Sequence, residues 1–362
     1  MNTGLKVRSF RSEYEVNFVE DFLPALSDVL RAGDFLLLDE NVARLYSSRL
    51  VALLATYPCQ LITPSESQKS FQGIEPVMAR LIQAGFRKNH RLVAIGGGVT
   101  QDVTAFIASV LYRGVDWLFV PTNLLSQCDS CIGSKTSINF GSFKNQLGGF
   151  HPPRLILSDQ SFLETLPTEE IRSGMGEMMH YFLIAGRIDF DRLAREYDAA
   201  LCDQEVLRGL IYRSLEIKRA MVEQDEFDEG PRNVFNYGHS FGHALESYSG
   251  FRIPHGIAVT FGMDLANWIS VAKSLLSRTE AEEMRGLLER NWRPTDPGEV
   301  EVQPYLELLR KDKKNINGDV RVILSRGLGD MFITRISLDD EVRSIVQRCF
   351  EYYRQTATPE TP

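Results

Sequence analysis

The sequence predicts a chain in two parts, an α/β half built on a parallel sheet followed by a mostly α-helical half. Three observations carry this. At 362 residues the chain exceeds what one core of ordinary size organises, so two domains are expected, at 1–160 and 161–362. Through the first, short apolar runs alternate with helical patterns, as strand–helix–strand crossovers require. Beyond about Leu163, apolar residues recur at helical spacing over long stretches.

Taken in order, "DFLLLDE" reads as a strand, "VARLYSSRLVALLA" as one helix and "CQLIT" as a second strand. "SFQGIEPVMARLIQAGF" follows as a helix, "RLVAIGGG" as a third strand and "VTQDVTAFIASVLYRG" as its helix. "DWLFVPT" supplies a further strand, and "SQCDSCIGSKTSINFGSFKNQLGGFHPPR" reads as an extended loop. In the second half "LPTEEIRSGMGEMMHYFLIAG", with Thr168 as its cap, "EVLRGLIYRSLEIKRAMVEQDE" and "GIAVTFGMDLANWISVAKSLL" are helices. "GDVRVILSRGLGDMFITRI" is a late hairpin, and the polar tail "QTATPETP" is expected to fray.

Composition narrows the function. A net charge of −8 and a pI near 5.4 argue against nucleic acid as the main partner. They leave room for a small anion held in a local basic pocket. Five scattered cysteines make a poor disulfide framework. The pair Cys128 and Cys131 has no second pair to complete a zinc site and reads as small buried residues. No basic start with an apolar run behind it marks a signal peptide, and no stretch of about 18 apolar residues spans a bilayer. A cytoplasmic protein without membrane contact is expected.

Three stretches carry chemistry. In "RLVAIGGGVTQDVTAFIA", Gly96, Gly97 and Gly98 let backbone N–H groups approach an anion at a helix start, with Thr100 placed to cap it. The spacing is not G-x-G-x-x-G, so this is either a phosphate cradle or a tight strand-to-helix turn. Asp129, Lys135, Lys144 and Asn145 sit among Gly, Ser and Thr instead of among other charges. That suits recognition of phosphate or carboxylate, though an exposed loop with incidental lysines would read the same. "FNYGHSFGHALESYSGFRIPHG" holds three of only six histidines, His239, His243 and His255. His239 and His243 share a helix face, and Ser240 stands where a zinc protease would have its glutamate. Upstream, Glu177 lies among three methionines with His180 one turn on. A carboxylate on an apolar face needs a partner. These residues are either metal ligands with their neighbours or satisfied core groups.

In order and spacing, "GGGVTQDVTAFIASVLYRGVDWLFVPT", "DSCIGSKTSINFGSFKN", "GFHPPRLILSD", "TLPTEEIRSGMGE", "KRAMVEQDE", "RNVFNYGHSFGHALE" and "PHGIAV" resemble the 3-dehydroquinate synthase family of sugar-phosphate cyclases. The resemblance runs from about Asp39 to about Asp330. It implies a dehydroquinate synthase-like fold, a Rossmann-like NAD-binding half and a helical metal-binding half with the active site between them. It implies Glu177, His239 and His255 as ligands of zinc or cobalt. Asp129, Lys135, Lys218, Arg232, Asn236 and His243 match the family's catalytic and substrate-contacting residues. Arg113, Asn145, His180 and Lys314 match phosphate contacts, Arg113 from a neighbouring subunit, which implies a homodimer. Asp39, Glu66, Lys69, Gly97, Gly98, Asp102 and Thr122 match positions lining the NAD site, with Lys144 counted there although it also falls among the substrate positions.

The implied reaction oxidises a ring hydroxyl with NAD beside the metal, eliminates phosphate from the acidified neighbour, returns the hydride and closes a carbocycle by intramolecular aldol addition. The set Lys135, Lys218, Arg232 and Asn236 favours a substrate bearing a carboxylate, 3-deoxy-arabino-heptulosonate 7-phosphate. Four positions depart from the family. His180 stands for a lysine, Ile257 for the glutamate of "HGEAV", Ser134 for the glycine of "GGK", and Asn123 for the threonine of "PTT". The first two keep open a specialised cyclase acting on sedoheptulose 7-phosphate, glucose 6-phosphate or an amino analogue. A metal-dependent polyol dehydrogenase is the rival from another reaction class, and a scaffold without turnover is the rival that is no enzyme.

Overall fold

A computed structural model describes residues 4–141, 143–310 and 319–358. The chain divides into two compact units, 1–167 with 218–228, and 168–217 with 229–362.

The first unit is built on a seven-stranded sheet. Its elements are β1 (Gly4–Val7), β2 (Tyr14–Val19), α1 (Phe22–Val29), β3 (Phe35–Asp39), α2 (Glu40–Leu45), α3 (Ser47–Thr56), β4 (Cys59–Ile62), α4 (Phe71–Gln83), β5 (Arg91–Gly96), α5 (Gly98–Val110), β6 (Asp116–Pro121), β7 (Lys135–Phe140), β8 (Phe143–Phe150) and β9 (Leu155–Asp159). The strand order is β1-β2-β9-β6-β5-β3-β4. Every pairing is parallel except β1 with β2. The expected parallel sheet is therefore present, with an antiparallel hairpin at one edge. Strands β3, β5 and β6 are buried almost throughout, as their continuous apolar runs require when helices cover both faces. Leu36, Leu38, Val93, Ile95, Leu118, Val120 and Leu157 fill one side against Phe22, Leu50 and Phe162 of the helical layer.

The chain runs outward from β3 to β4 and then returns to place β5 on the other side of β3. That reversal makes the carboxyl ends of β3 and β5 a topological switch point, where open α/β sheets leave a crevice.

Three local expectations are corrected. The helix read over 42–55 is two, broken at Tyr46, whose ring turns inward onto Phe162. Thr100 does not cap α5. It lies in the first turn, and Gly97 occupies the cap position with no side-chain bond. The segment read as a loop contains a π-turn at Ser126–Ser130 and the antiparallel hairpin β7–β8. Neither Cys128 nor Cys131 is in a disulfide and both are fully buried, and burial pushes the Cys131 thiol up to about 12.

The second unit holds α6 (Thr168–Ala185), α7 (Arg187–Ala200), α8 (Gln204–Gln224), α9 (His239–Tyr248), α10 (His255–Ala272), α11 (Arg278–Trp292), α12 (Val302–Arg310), the hairpin β10 (Val320–Ser325) and β11 (Met331–Ile336), and α13 (Asp340–Thr356). The last turns of α8, from Lys218, belong to the first unit. Thr168 is the first residue of α6 and not its cap. Helix α10 is apolar nearly all round and is the axis of the unit, with α6, α9, α11 and α13 packed on it. Its contact with α6 is made through glycine. A Cβ on Gly176 would overlap the Gly256 carbonyl, and one on Gly256 would overlap the Ser173 carbonyl. No helix among the described residues is long and apolar enough to cross a membrane.

Candidate metal centre and anion-binding residues

Glu177 sits on α6 and is almost completely buried. A carboxylate in that position must be compensated, and what faces it is imidazole. Its Oε2 lies 3.6 Å from His239 Nε2 and 3.6 Å from His180 Nδ1, and its Oε1 lies 3.2 Å from His255 Nε2. Oε1 nevertheless accepts no hydrogen bond of acceptable geometry. His239 opens α9 and His255 opens α10, so two helix starts deliver the rings to one buried carboxylate. Burial alone would raise the Glu177 pKa, but the charges of His239 and His255 outweigh it and hold the carboxyl well below its usual range. For His255, burial would lower the pKa, and Glu177 and Glu246 together raise it to about 10. The second ring on the shared face of α9, His243, stacks on His255 at 5.3 Å between centroids. Desolvation and the like charges of His255 and His239 push its pKa down.

The geometry fits a divalent cation. One ligand atom from each of Glu177, His239 and His255 lies within 4.8 Å of the other two. A tetrahedral ion with arms of about 2.1 Å wants ligands about 3.4 Å apart, and the contacts at 3.2 and 3.6 Å bracket that. An anionic oxygen left without a hydrogen bond 3.2 Å from a ring nitrogen is the gap a cation would fill. His180 is buried against this cluster, its ring 5.3 Å from that of His239. Ile257, two residues after His255, is fully buried and apolar.

Elsewhere in the second unit, Arg232 is buried on the 3-10 turn Pro231–Asn236, and Asn236 donates to the Asn233 carbonyl at 3.0 Å. Lys314 lies outside the described residues.

In the first unit the residues matched to cofactor positions fall in two groups, one at the carboxyl ends of β3 and β5 and one around Lys69. Asp39, at the carboxyl end of β3, accepts from the backbone of Asn41 and Val42 and is buried, which raises its pKa. Gly96 ends β5 opposite it, and a Cβ there would collide with Thr100 and Asp39. A Cβ on Gly97 would meet Asn123, whereas Gly98 faces open space. Thr122 is buried and its N–H donates to the Gly96 carbonyl at 3.1 Å. Buried Lys69 pairs with Asp102 at 2.7 Å and donates to Asn145 Oδ1 at 3.2 Å. Burial raises the Asp102 pKa and Lys69 opposes the rise. Lys144 approaches Glu66 at 3.9 Å. Asn139, not singled out from sequence, ties this second group together. It donates to Glu66 Oε2 at 2.8 Å and accepts from the Asn145 N–H at 2.9 Å.

The same unit brings Lys218 to Asp129, its Nζ 2.7 Å from both the Oδ1 and the carbonyl oxygen of that residue. Lys135 pairs with Asp228, which also went unnoticed because it lies in the acidic run "EFDEG" that reads as solvated surface. Arg113 is exposed on a turn where both it and Tyr112 take positive φ. Lys88 pins that turn by donating to the carbonyls of Tyr112 and Gly114.

Comparison with known proteins also divides the chain in two, after residue 173. The chain matches a family model described as 3-dehydroquinate synthase N-terminal over residues 60–173 and one described as 3-dehydroquinate synthase C-terminal over 174–315. It is 36% identical over 314 residues to a 3-dehydroquinate synthase of Sulfurovum sp. (strain NBC37-1), covering 86% of this chain and 89% of that one. Among solved structures it is similar to 2-epi-5-epi-valiolone synthase from Streptomyces hygroscopicus subsp. jinggangensis 5008 with NAD+ and Zn2+ bound. The TM-score there is 0.82 at 25% identity, over 96% of this chain and 98% of that one. A 2-deoxy-scyllo-inosose synthase complexed with carbaglucose-6-phosphate, NAD+ and Co2+ shares the fold, with TM-score 0.83 at 20% identity over 98% and 100% of the two chains.

Proposed function

The chain belongs to the 3-dehydroquinate synthase family and is an enzyme of its phosphate-eliminating carbon–oxygen lyase kind, and from that premise we propose that it converts 3-deoxy-arabino-heptulosonate 7-phosphate to a carbocycle. The carrying observation is that one chain has both a buried Glu–His–His set and buried cations. Glu177, His239 and His255 would hold zinc or cobalt, while Lys218 and Arg232 are buried cations of the same chain. The solved relatives bind NAD+ with Co2+ or Zn2+, and the same pair is proposed here.

When bound, NAD supplies a reversible hydride acceptor and the metal a Lewis acid. The chain's own residues do the rest. The carboxyl ends of β3 and β5, with Asp39, Gly97, Gly98 and Thr122, form the crevice for the dinucleotide. Glu66, Lys69, Asp102 and Lys144 extend it, and Lys69 and Asp102 hold each other in place. Lys135, Lys218, Arg232 and Asn236 fix the carboxylate and hydroxyls, with Asp129 orienting Lys218. Asn145, His180, Lys314 and, from a second subunit, Arg113 are the phosphate contacts, which makes the working protein a homodimer. His243, whose ring stacks on that of His255, is proposed as a catalytic residue that contacts the substrate.

Phosphate release from 3-deoxy-arabino-heptulosonate 7-phosphate, sedoheptulose 7-phosphate and glucose 6-phosphate tests the proposal, with NAD and zinc or cobalt present and the NADH absorbance band followed. Release from the first substrate without net NADH is the expected result. Release from another substrate would reassign the enzyme to a specialised cyclase, and NADH accumulation without phosphate would make it a polyol dehydrogenase.

A further inference from the structure

His255 meets a carboxylate at each end of its ring. Nε2 lies 3.2 Å from Glu177 Oε1, and Nδ1 lies 3.1 Å from Glu246 Oε2. An ionised carboxylate only accepts, so the nitrogen facing Glu246 carries the proton. Nε2 faces Glu177, so it is the nitrogen whose proton a cation beside Glu177 would replace while Nδ1–H stays on Glu246. His239 is set the same way by different means. Its Nδ1 lies 3.3 Å from the Tyr237 carbonyl, which also only accepts, and its Nε2 faces Glu177. Both rings are thus fixed at Nδ1 and offered at Nε2.

We propose that Glu246 is a positioning residue for the metal centre, fixing the tautomer and orientation of His255 so that Nε2 is presented to the cation. This rests on the reading of Glu177, His239 and His255 as its ligands. Helix α9 supplies the geometry. His239, His243 and Glu246 fall at i, i+4 and i+7, one stripe along one face, so the helix that contributes a ligand also contributes the support for the other ligand. The Glu246 side chain is only 14% exposed, shielded enough for a directed hydrogen bond. No support comes from α10 itself, where Ile257 is buried and apolar. Carboxylate support of a metal-bound histidine sets its ring angle and basicity, and its loss weakens metal binding by about 10- to 100-fold.

The test uses the full chain stripped of metal and titrated with Co2+ against a competing chelator, following both affinity and the visible cobalt bands. Wild type is expected to bind one ion per chain. Glu246→Gln, whose amide still accepts but carries no charge, should bind it more weakly, and Glu246→Ala more weakly again. The cobalt bands should move in both variants, while the unfolding midpoint of the metal-free protein stays near wild type. Unchanged affinity and bands in Glu246→Ala would overturn the positioning role. So would a wild type that binds two ions and an alanine variant that binds one, since Glu246 would then ligate a second ion with His243. Glu177→Gln is the separate control. If it binds Co2+ as wild type does, the metal centre itself is misassigned, a failure distinct from that of Glu246.

Discussion

Lys218 and Asp129 show how a single pair can carry both stability and chemistry. The lysine side chain is 8% exposed and donates to both the Oδ1 and the carbonyl oxygen of Asp129. Truncating Asp129 to Ala strands an ammonium in a site with little water. The first unit should lose about 3 kcal/mol, read by denaturant unfolding. Lys218→Met leaves the Asp129 carboxylate without its cation, but that side chain, at 17% exposed, has more access to water than the lysine and the loss should be smaller. Both variants should lose phosphate release, so stability separates them where activity does not. Equal losses would mean that the pair is solvated and not buried. At this scale the sequence was legible wherever a residue was out of place in its surroundings. Glu177 among methionines and histidines crowded into one segment both announced themselves. Glu246, Asp228 and Asn139 did not, because a glutamate on an amphipathic helix, an aspartate in an acidic run and an asparagine in a polar loop all look ordinary. Their partners, His255, Lys135 and Glu66, lie 9, 93 and 73 residues away.

At the scale of elements, the candidate metal ligands depend on how closely α6 and α10 approach, and Gly176 and Gly256 set that distance. Gly176 is adjacent to Glu177, and Gly256 to His255. Alanine at Gly176 must push the helices apart against backbone, which cannot yield as a side-chain tip can. We expect Gly176→Ala to lower both the unfolding midpoint and the affinity for Co2+. Gly286→Ala on α11, where an added Cβ meets nothing within 4 Å, should be neutral or stabilising by up to about 1 kcal/mol. Calorimetry and metal titration of the two variants check this, and equal behaviour would remove the glycine contact from the account of the site. The elements themselves were largely readable from period and composition. The break at Tyr46 was not, because its cause is an aromatic contact with Phe162 that no local pattern encodes. The β7–β8 hairpin was masked by its Gly, Ser and Thr content, which gives strands too polar to alternate clearly.

For the whole molecule, the candidate ligand sets divide with the two units. Glu177, His239 and His255 all belong to the second, and Asp39, Glu66, Lys69, Gly97, Gly98, Asp102 and Thr122 all to the first. The alternation of strand and helix pointed only to an α/β first half, and the placing of cofactor and metal in different halves is what the family resemblance implies. Nothing in composition marks 218–228 as returning to the first unit, because that membership is a matter of contact. A ligand that binds only the folded form stabilises by mass action, about 4 kcal/mol at a thousand times its dissociation constant. The stabilisation falls first on the unit that holds it. Chelating the metal should therefore speed amide exchange in α6, α9 and α10 and leave β3, β5 and β6 little changed. Adding NAD should do the converse, slowing exchange at the β5–α5 turn and the end of β3. Hydrogen exchange read by mass spectrometry resolves these segments in one experiment. If chelation instead loosens the β5–α5 turn as strongly as α10, the two units open as one cooperative body, and metal loss would then disable cofactor binding without touching its residues. If each ligand protects only its own unit, the dinucleotide and the metal are bound independently.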